Sequence, residues 1–340
     1  MKRVVVSDDF DEIEIWPSES FIRYREIVEK EVKLFSIDGT NLTRVSCPAC
    51  GSDKRRNGFD KFGLEYVECL ECNTLYISLR PKKDIIDKHF KESEASEFWH
   101  SNVVKQTLKE RIGHLFKPRA MWVANLTEQY CDEPSTFVDI NSVYSEFLEA
   151  IDRLDLFKDK IIIEPLSENV KSFDERDGFR IIDKSFTDSS LGELGADAVT
   201  AFAVIDHVFN PEDFLNTSRS LLSEDGILFF TVRTISGFDL QVLWENSEAI
   251  FPPDHLNLLS IEGIELLMER CGFEILELST PGQLDVELVL NAMEDDNKLE
   301  VPRFISYFLK NRDKDARRIF QEYLQQFNLS SHARVAARKR

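Results

Sequence analysis

The stretch that decides the fold is ADAVTAFAVIDHVFNPEDFLNTSRSLLSEDGILFFTVR, residues 196–233. Residues 198–205 form a continuous apolar and β-branched run, which is typical of a strand buried on both faces of a parallel sheet. Asn210 can cap a helix whose first position is Pro211, where the missing N–H costs nothing. Residues 227–232 then read as a second buried strand. The stretch therefore predicts a strand, a helix and a parallel strand in a right-handed crossover.

Asp206 and His207 follow the first of these strands directly. They should lie at the carboxyl edge of the sheet, which is where open α/β sheets bind their ligands. Other buried runs recur at a regular spacing, which predicts a doubly wound α/β sheet. The predicted strands are 136–140, 160–164, 180–183, 198–205 and 227–232.

Two more strands are predicted after a helix at 261–270. They are residues 273–278 and 284–290, joined by the turn Thr-Pro-Gly-Gln. Because that turn is too short for a crossover, the last two strands should be antiparallel.

The run 196–233 resembles strand four, its helix and strand five of the class I S-adenosylmethionine-dependent methyltransferases. The likeness continues through GFDLQVLW (237–244), PPDHLNLLS (252–260) and CGFEILELSTPGQLDVEL (271–288), and more loosely through SSHARVAARK (330–339). It covers residues 131–290, and the group most similar is the bacterial type with an N-terminal zinc-binding segment. The resemblance implies a Rossmann-like seven-stranded sheet whose last strand is antiparallel.

The cofactor loop departs from this family. Relatives have D-x-G-x-G-x-G after strand one, whereas the aligned run here is Asp139-Ile-Asn141-Ser142-Val143-Tyr144-Ser145. A non-glycine residue at positive φ costs on the order of 1 kcal/mol or more, which Asn141 tolerates best and Val143 worst. The loop therefore either takes another path or binds the cofactor less well.

Other parts of the implied S-adenosylmethionine site persist. Glu164 ends strand two, where the family's acid accepts hydrogen bonds from the ribose hydroxyls, although an ordinary strand-end carboxylate is the alternative. Phe186 and Asp188 follow strand three and could contact the adenine. The residues that the resemblance assigns to the cofactor are Asp139, Asn141, Ser142, Glu164, Phe186 and Phe202.

Two histidines are candidates for a general base. In the resemblance, His207 occupies the family's Glu-His position and His255 its Pro-Pro-x-His position, and both lie after predicted strands. A base tuned near neutrality assists transfer to a hydroxyl or amine. The alternatives are a packed histidine under a helix for His207 and a structural loop histidine for His255.

The long segment after strand five is where this family builds acceptor specificity. It carries Arg233, Phe238 and Trp244, the candidate substrate residues. The alternative is a packed lid that contacts no substrate.

Four of the six cysteines fall in two C-x-x-C pairs. Cys47 and Cys50 form the first pair, Cys69 and Cys72 the second, and each offers two thiolates to one tetrahedral ion. Two chance pairs or a redox dithiol are the alternatives, but redox motifs come singly and beside a βαβ unit. The spacing predicts a structural zinc ribbon.

The composition fits an enzyme with a sizeable core. Of 340 residues 42% are hydrophobic, and the formal charge of −20 disfavours non-specific binding to nucleic-acid phosphates. No apolar run reaches the roughly 18 residues of a membrane span, and the N-terminus lacks the apolar core of a signal peptide. The interpretation is a cytoplasmic protein with no membrane contact.

The anchors above divide the chain into five predicted segments. They are an N-terminal helical segment (1–40), the zinc ribbon (41–80), a helical connector (81–130), the methyltransferase domain (131–290) and a C-terminal helical segment (291–340).

The sequence thus predicts a methyltransferase that uses S-adenosylmethionine and a structural zinc. Its acceptor should be a small molecule such as a nucleotide sugar or a polysaccharide or natural-product precursor, and a homo-oligomer or protein partner is compatible with this. The alternative is a non-catalytic, degenerate methyltransferase domain that acts as a scaffold, which the glycine-free loop favours.

Overall fold

The computed structural model describes residues 5, 18–35, 41–140, 145–164, 178–184, 186 and 191–340. The chain divides into two compact units. Unit 1 comprises Met1–Leu108, Arg233–Ile264 and Ser279–Ala333, and unit 2 comprises Lys109–Val232, Glu265–Leu278 and Arg334–Arg340. Among the helices described, none is long and apolar enough to cross a membrane.

The strands, in chain order, are β1 (Leu42–Arg44), β2 (Arg55–Lys61), β3 (Leu64–Cys69), β4 (Leu75–Ile77), β5 (Leu79–Pro81), β6 (Thr136–Ile140), β7 (Asp159–Ile163), β8 (Phe179–Ile182), β9 (Ala196–Phe202), β10 (Leu222–Arg233), β11 (Asn257–Leu258), β12 (Phe273–Ser279) and β13 (His332–Lys339). The α-helices are Ser18–Phe35, Lys83–Glu92, Glu94–Phe98, Leu108–Arg111, Lys117–Tyr130, Ser145–Asp152, Pro211–Leu221, Phe238–Leu243, Ile261–Arg270, Asp285–Asp295, Arg303–Asn311 and Lys314–Gln326. Short π-helical turns occupy Trp99–Val104 and Ile112–Phe116, and a 3₁₀ turn occupies Trp244–Asn246.

The main sheet has seven strands in the order β12-β13-β10-β9-β6-β7-β8. Strands β10, β9, β6, β7 and β8 run parallel to their neighbours, as the predicted crossovers require. Their side chains are largely buried, as expected for strands covered on both faces. Helix Pro211–Leu221 connects β9 to β10 and begins as predicted, with the Asn210 side chain accepting from the N–H of Glu212 at 3.1 Å.

The last two strands of the sheet are antiparallel. Arg334 on β13 lies 2.9 Å from Glu277 on β12, and Arg338 lies 2.8 Å from Glu274. Because higher numbers on β13 meet lower numbers on β12, the two strands run in opposite directions. The predicted seven-stranded, Rossmann-like sheet with an antiparallel last strand is therefore confirmed.

The position predicted for that last strand is wrong. Residues 284–290 begin the helix Asp285–Asp295, and the seventh strand is β13 near the C-terminus. The buried side chains Val286, Val289 and Met293 are three and four positions apart, a spacing that places them on one face of a helix. The expectation that residues 291–340 are wholly helical is also wrong, because this segment supplies β13 to the main sheet.

Unit 1 contains a four-stranded antiparallel sheet in the order β11-β4-β3-β2, and β1 pairs with β5. Strands β2, β3 and β4 are the predicted ribbon, whereas β11 comes from the segment that follows the main sheet's strand β10. A second core of unit 1 lies among the C-terminal helices and is formed by Leu243, Val286, Val289, Met293, Leu309 and Leu324.

Candidate cofactor, acceptor and cysteine sites

The carboxyl edge of the main sheet carries two buried acids in unit 2. Asp139, on β6, is 2% exposed, and the hydroxyl of Thr200 on β9 donates to its carboxylate. Glu164 follows β7 directly and is 5% exposed. Because β6 and β7 are parallel neighbours, both acids lie at one edge of the sheet. Buried carboxylates at this edge can accept hydrogen bonds from a polar ligand.

Phe202 ends β9 at the same edge. The Arg119 guanidinium lies 5.0 Å from the centre of the Phe202 ring, and the Phe147 ring packs edge-on against it at 4.9 Å. The next residue, Ala203, has φ 56°, which ends the strand three residues before the predicted boundary. Its N–H donates to the hydroxyl of Thr231 at 3.0 Å.

The remaining predicted cofactor residues divide into two groups. Phe186 is half-buried and packs edge-on against Phe214, at 5.4 Å between ring centres. Asn141, Ser142, Val143, Tyr144 and Asp188 lie outside the described residues.

His207 lies in the turn that follows β9. Its backbone N–H donates to the carbonyl of Val204 at 3.2 Å, and its side chain is half-buried, whereas Asp206 is buried. The turn precedes the helix capped by Asn210, as the sequence predicts.

His255 belongs to unit 1, where several residues fix its backbone. The Tyr66 hydroxyl donates to the His255 carbonyl at 2.6 Å, and the His255 N–H donates to the Phe251 carbonyl at 3.0 Å. The ring atom Nδ1 lies 3.3 Å from that same carbonyl oxygen. A carbonyl only accepts, so this contact is a hydrogen bond when Nδ1 carries the proton, which leaves the lone pair on Nε2.

Asp254, beside His255, accepts a hydrogen bond from the hydroxyl of Tyr24. Burial raises the pKa of Asp254 to about 6, against the lowering effect of the Tyr24 bond. The Asp254 carboxyl is therefore engaged by Tyr24 of the helix Ser18–Phe35.

Arg233 and Asp239 lie close together in unit 1. Arg233 Nη1 lies 3.6 Å from Asp239 Oδ2, and Asp239 is 1% exposed. Burial, followed by the nearby Asp285 carboxylate, raises the pKa of Asp239 to about 8. Asp285 accepts hydrogen bonds from the Ser330 hydroxyl, the Ser331 N–H and the Gln321 amide at 2.5, 2.6 and 2.8 Å. These three donors occupy both oxygens of the Asp285 carboxyl.

The other two candidate substrate residues have different surroundings. Phe238 packs edge-on against Phe320 at 5.1 Å and contacts the C-terminal helical core. Trp244 is half-buried and packs edge-on against Phe59 of the ribbon at 5.4 Å. It has φ 49° and ψ −119°, a conformation that favours glycine.

The four cysteines of the ribbon converge as their spacing predicts. The Sγ atoms of Cys47, Cys50, Cys69 and Cys72 all lie within 4.8 Å of one another. The contact with Cys47 lowers the pKa of Cys72 to about 5 and raises the pKa of Cys47.

The two cysteine turns repeat the same geometry. Gly51 N–H donates to Cys47 O at 2.8 Å and Asn73 N–H to Cys69 O at 3.0 Å, and both donors have positive φ. A four-thiolate cluster built on two such turns has the donor set of a structural zinc site.

A family of methyltransferase domains matches residues 113–278 of the chain. Residues 113–278 are therefore identified as a methyltransferase domain. The match contains β6 to β10 and β12, together with both edge acids and both candidate bases.

Solved methyltransferases are similar in fold, at low identity. The Burkholderia thailandensis 1,6-didemethyltoxoflavin N1-methyltransferase is 11% identical, with a TM-score of 0.48 over 79% of this chain and 97% of its own. The plantazolicin methyltransferase is 14% identical, with a TM-score of 0.47 over 76% of this chain and 94% of its own. Both were solved with S-adenosylhomocysteine. No curated protein matches the sequence of this methyltransferase.

Several contacts of residues 244–263 were missed by sequence reasoning. Lys61 Nζ donates to the carbonyls of Glu245 and Ser247 at 2.7 and 2.9 Å, and burial lowers the pKa of Lys61 to about 8. The Ser260 hydroxyl donates to the Cys72 carbonyl and the Tyr24 hydroxyl to Asp254, which are further contacts of this kind. Each joins positions far apart in the chain, so no local pattern could have identified them.

Proposed function

We propose that this methyltransferase transfers a methyl group from S-adenosylmethionine to a small acceptor. The observation that carries the proposal is the pair of buried acids, Asp139 and Glu164, near the ends of two adjacent parallel strands within the residues that match a methyltransferase domain. Bound S-adenosylmethionine supplies an electrophilic methyl group on a sulfonium. The chain's own residues bind that group, orient the acceptor and accept a proton.

Glu164 is proposed to hold the cofactor ribose. It lies one residue beyond β7 and is buried, so its carboxylate is held within the sheet edge. A charged acceptor for two hydroxyls contributes about 1.5–3 kcal/mol per hydrogen bond. Asp139, fixed by the Thr200 hydroxyl, is proposed to lie beside the same ligand, with Phe202 and Phe186 as apolar contacts.

His255 is proposed as the general base. Its Nδ1 contact with the Phe251 carbonyl favours the tautomer whose Nε2 can accept a proton from a hydroxyl or amine. His207 is the second candidate, and Arg233, Phe238 and Trp244 are proposed to shape the acceptor site. The resemblance to enzymes that modify sugars and natural products supports a nucleotide sugar or a polysaccharide or natural-product precursor as the acceptor.

The cysteine cluster is proposed to bind one structural zinc. Four thiolates leave no position open for a water or substrate, so the ion would stabilise the ribbon and take no part in methyl transfer. Zinc would also relieve the repulsion among thiolates in this cluster.

One feature favours the alternative of a non-catalytic scaffold. The run that follows Asp139 has no glycine, and the family's loop uses glycines for close approach to the cofactor.

Calorimetric titration with S-adenosylhomocysteine separates the two functions. Saturable binding that is lost in Glu164→Ala supports the enzyme, and the matched control Glu149→Ala, on the helix Ser145–Asp152, should bind normally. Absence of binding at millimolar ligand would instead favour the scaffold.

A further inference from the structure

Within unit 1, the ribbon (residues 41–80) contacts residues 244–263 at both ends and in the middle. Residues 257 and 258 form β11 and pair with β4, with Asn257 opposite Tyr76 and Leu258 opposite Leu75. The last strand of the ribbon sheet is therefore contributed by the same segment that carries Trp244 and His255. We call residues 244–263 the acceptor-side segment.

The cysteine cluster contacts the C-terminal end of this segment. The Ser260 hydroxyl donates to the carbonyl of Cys72 and accepts from the N–H of Gly263 at 2.8 Å. Its own N–H donates to the Thr74 hydroxyl at 3.3 Å. Ser260 thus caps the helix Ile261–Arg270 and joins that cap to a cysteine turn.

Gly263 shows how tight this contact is. A Cβ added there would lie 2.3 Å from the Thr74 hydroxyl oxygen and 3.2 Å from the Ala49 Cβ. Any larger residue would push the start of the helix away from the ribbon.

The middle of the segment is held by two buried ribbon side chains. Arg80 is fully buried and donates to Asn257 Oδ1 at 2.9 Å and to the Leu256 carbonyl at 3.3 Å. Tyr66, also fully buried, donates to the carbonyl of His255. The backbone position of the candidate base is thus defined by ribbon residues.

The N-terminal end of the segment is held by Lys61 and Phe59. Lys61 donates to the carbonyls of Glu245 and Ser247, and the Phe59 ring packs edge-on against Trp244. Trp244 has a backbone conformation that a non-glycine residue keeps only when its surroundings impose it. The Lys61 ammonium, which donates to the carbonyls of Glu245 and Ser247, supplies such a constraint.

We propose that the metal-bound ribbon sets the conformation of the acceptor-side segment, with Lys61 and Ser260 as positioning residues for Trp244 and His255. This rests on the proposed metal at the four cysteines and on the proposed acceptor role of the segment. The ribbon then determines acceptor binding without touching the reacting atoms, and loss of the metal releases the segment while the main sheet keeps its fold.

The test is hydrogen exchange, measured by mass spectrometry on the full chain before and after zinc chelation. We expect amides of residues 244–260 to exchange about tenfold faster or more after chelation, with peptides from β6, β7 and β9 unchanged. Titration with S-adenosylhomocysteine, run on both forms, should give the same affinity. Unchanged exchange in 244–260, or equal acceleration throughout the main sheet, would overturn the inference.

Variants test the same claim with the metal in place. Lys61→Met should accelerate exchange at residues 244–248 about ten- to hundredfold, because two charged hydrogen bonds are lost, and Lys61→Arg should restore protection in part. The matched control is Lys54→Met, an exposed ribbon lysine paired with Glu71. Gly263→Ala should loosen residues 256–264, whereas Gly113→Ala, which meets nothing within 4 Å, should not.

These outcomes are separable from failure of the proposed function. If S-adenosylhomocysteine binds neither form, the cofactor proposal fails, but the exchange comparison still decides whether the ribbon holds the segment. If Lys61→Met and Lys54→Met exchange alike at 244–248, Lys61 is not a positioning residue.

Discussion

Thr200 and Asp139 lie opposite each other on the parallel strands β9 and β6, and the Thr200 hydroxyl donates to the Asp139 carboxylate. Both residues are at most 2% exposed. The hydrogen bond therefore fixes a buried acid at the carboxyl edge of the main sheet. It also explains how an acid is accommodated within an otherwise apolar strand.

Thr200→Val should destabilise the protein by about 1.5–3 kcal/mol, because it removes a donor to a buried carboxylate at nearly constant volume. Thr231→Val is the matched control, since Thr231 is equally buried on β10 and accepts one neutral bond from the Ala203 N–H. Its cost should be about 1 kcal/mol. Urea denaturation measures both, and an equal or larger loss in the control would contradict a charged bond at Asp139.

Purified protein should contain about one zinc per chain, because the four thiolates close a single tetrahedral site. Cys72→Ser should release the metal and unfold the ribbon while leaving the main sheet intact. Cys271→Ser is the control, as this buried cysteine lies outside the cluster. Metal analysis and circular dichroism report the result, and a metal-free preparation of full thermal stability would refute the assignment.

Sequence reasoning located the parallel strands because most are apolar runs, which have few alternatives to burial in a sheet, and because they recur at a regular spacing. It failed at the last strand. Within residues 284–290, apolar and polar residues alternate at some positions, and apolar residues also recur at helical spacing. So short a run does not distinguish a strand from a helix.

The true last strand, HARVAARK, has only small apolar residues flanked by arginines, so it resembles a surface segment. Its arginines are accommodated because Glu277 and Glu274 on β12 pair with them. Those pairings exist only once both strands are in the sheet. A non-local ion pair of this kind cannot be inferred from local periodicity.

The candidate sites also combine features that local sequence predicts with contacts that it does not. The cysteine cluster was predictable because its ligand spacing is itself the chemical signal. The contacts of Lys61, Tyr24 and Cys72 with the acceptor-side segment were not, since they join residues 184, 230 and 188 positions apart in sequence.

The buried pair Asp239 and Asp285 predicts a pH-dependent stability. The folded-state pKa of Asp239 is raised to about 8, above its ordinary value of 3.8. An acid whose pKa rises on folding favours the folded state while it is protonated. Its contribution is full below about pH 4 and is lost progressively as the pH rises through 8. Unfolding free energies measured from pH 5 to 8 should therefore fall.

Asp239→Asn should flatten this fall and be more stable than wild type at pH 8 by on the order of 1–3 kcal/mol, because an amide mimics the neutral acid. Asp285→Asn is the contrasting variant. It should destabilise at every pH tested, since Asp285 accepts three hydrogen bonds that an amide cannot all replace. Identical pH slopes in wild type and Asp239→Asn would show that Asp239 is not the titrating group.

The final prediction concerns the general base. His255→Ala should lower turnover of an accepted small molecule about 10²–10⁴-fold and leave the affinity for S-adenosylhomocysteine nearly unchanged, which is the range for loss of a general base. The Nδ1 contact with the Phe251 carbonyl favours the tautomer whose lone pair is on Nε2. His255→Gln, which cannot accept a proton near neutral pH, should be equally impaired. The pH dependence of kcat should lose its acidic limb in both variants.

His207→Ala is the comparison, because His207 follows β9 in a turn where packing alone could explain the presence of a histidine. If His207→Ala abolishes turnover in a folded protein while His255→Ala does not, the base is His207. If both retain wild-type turnover, methyl transfer relies on proximity and orientation of the acceptor, and no histidine acts as the base.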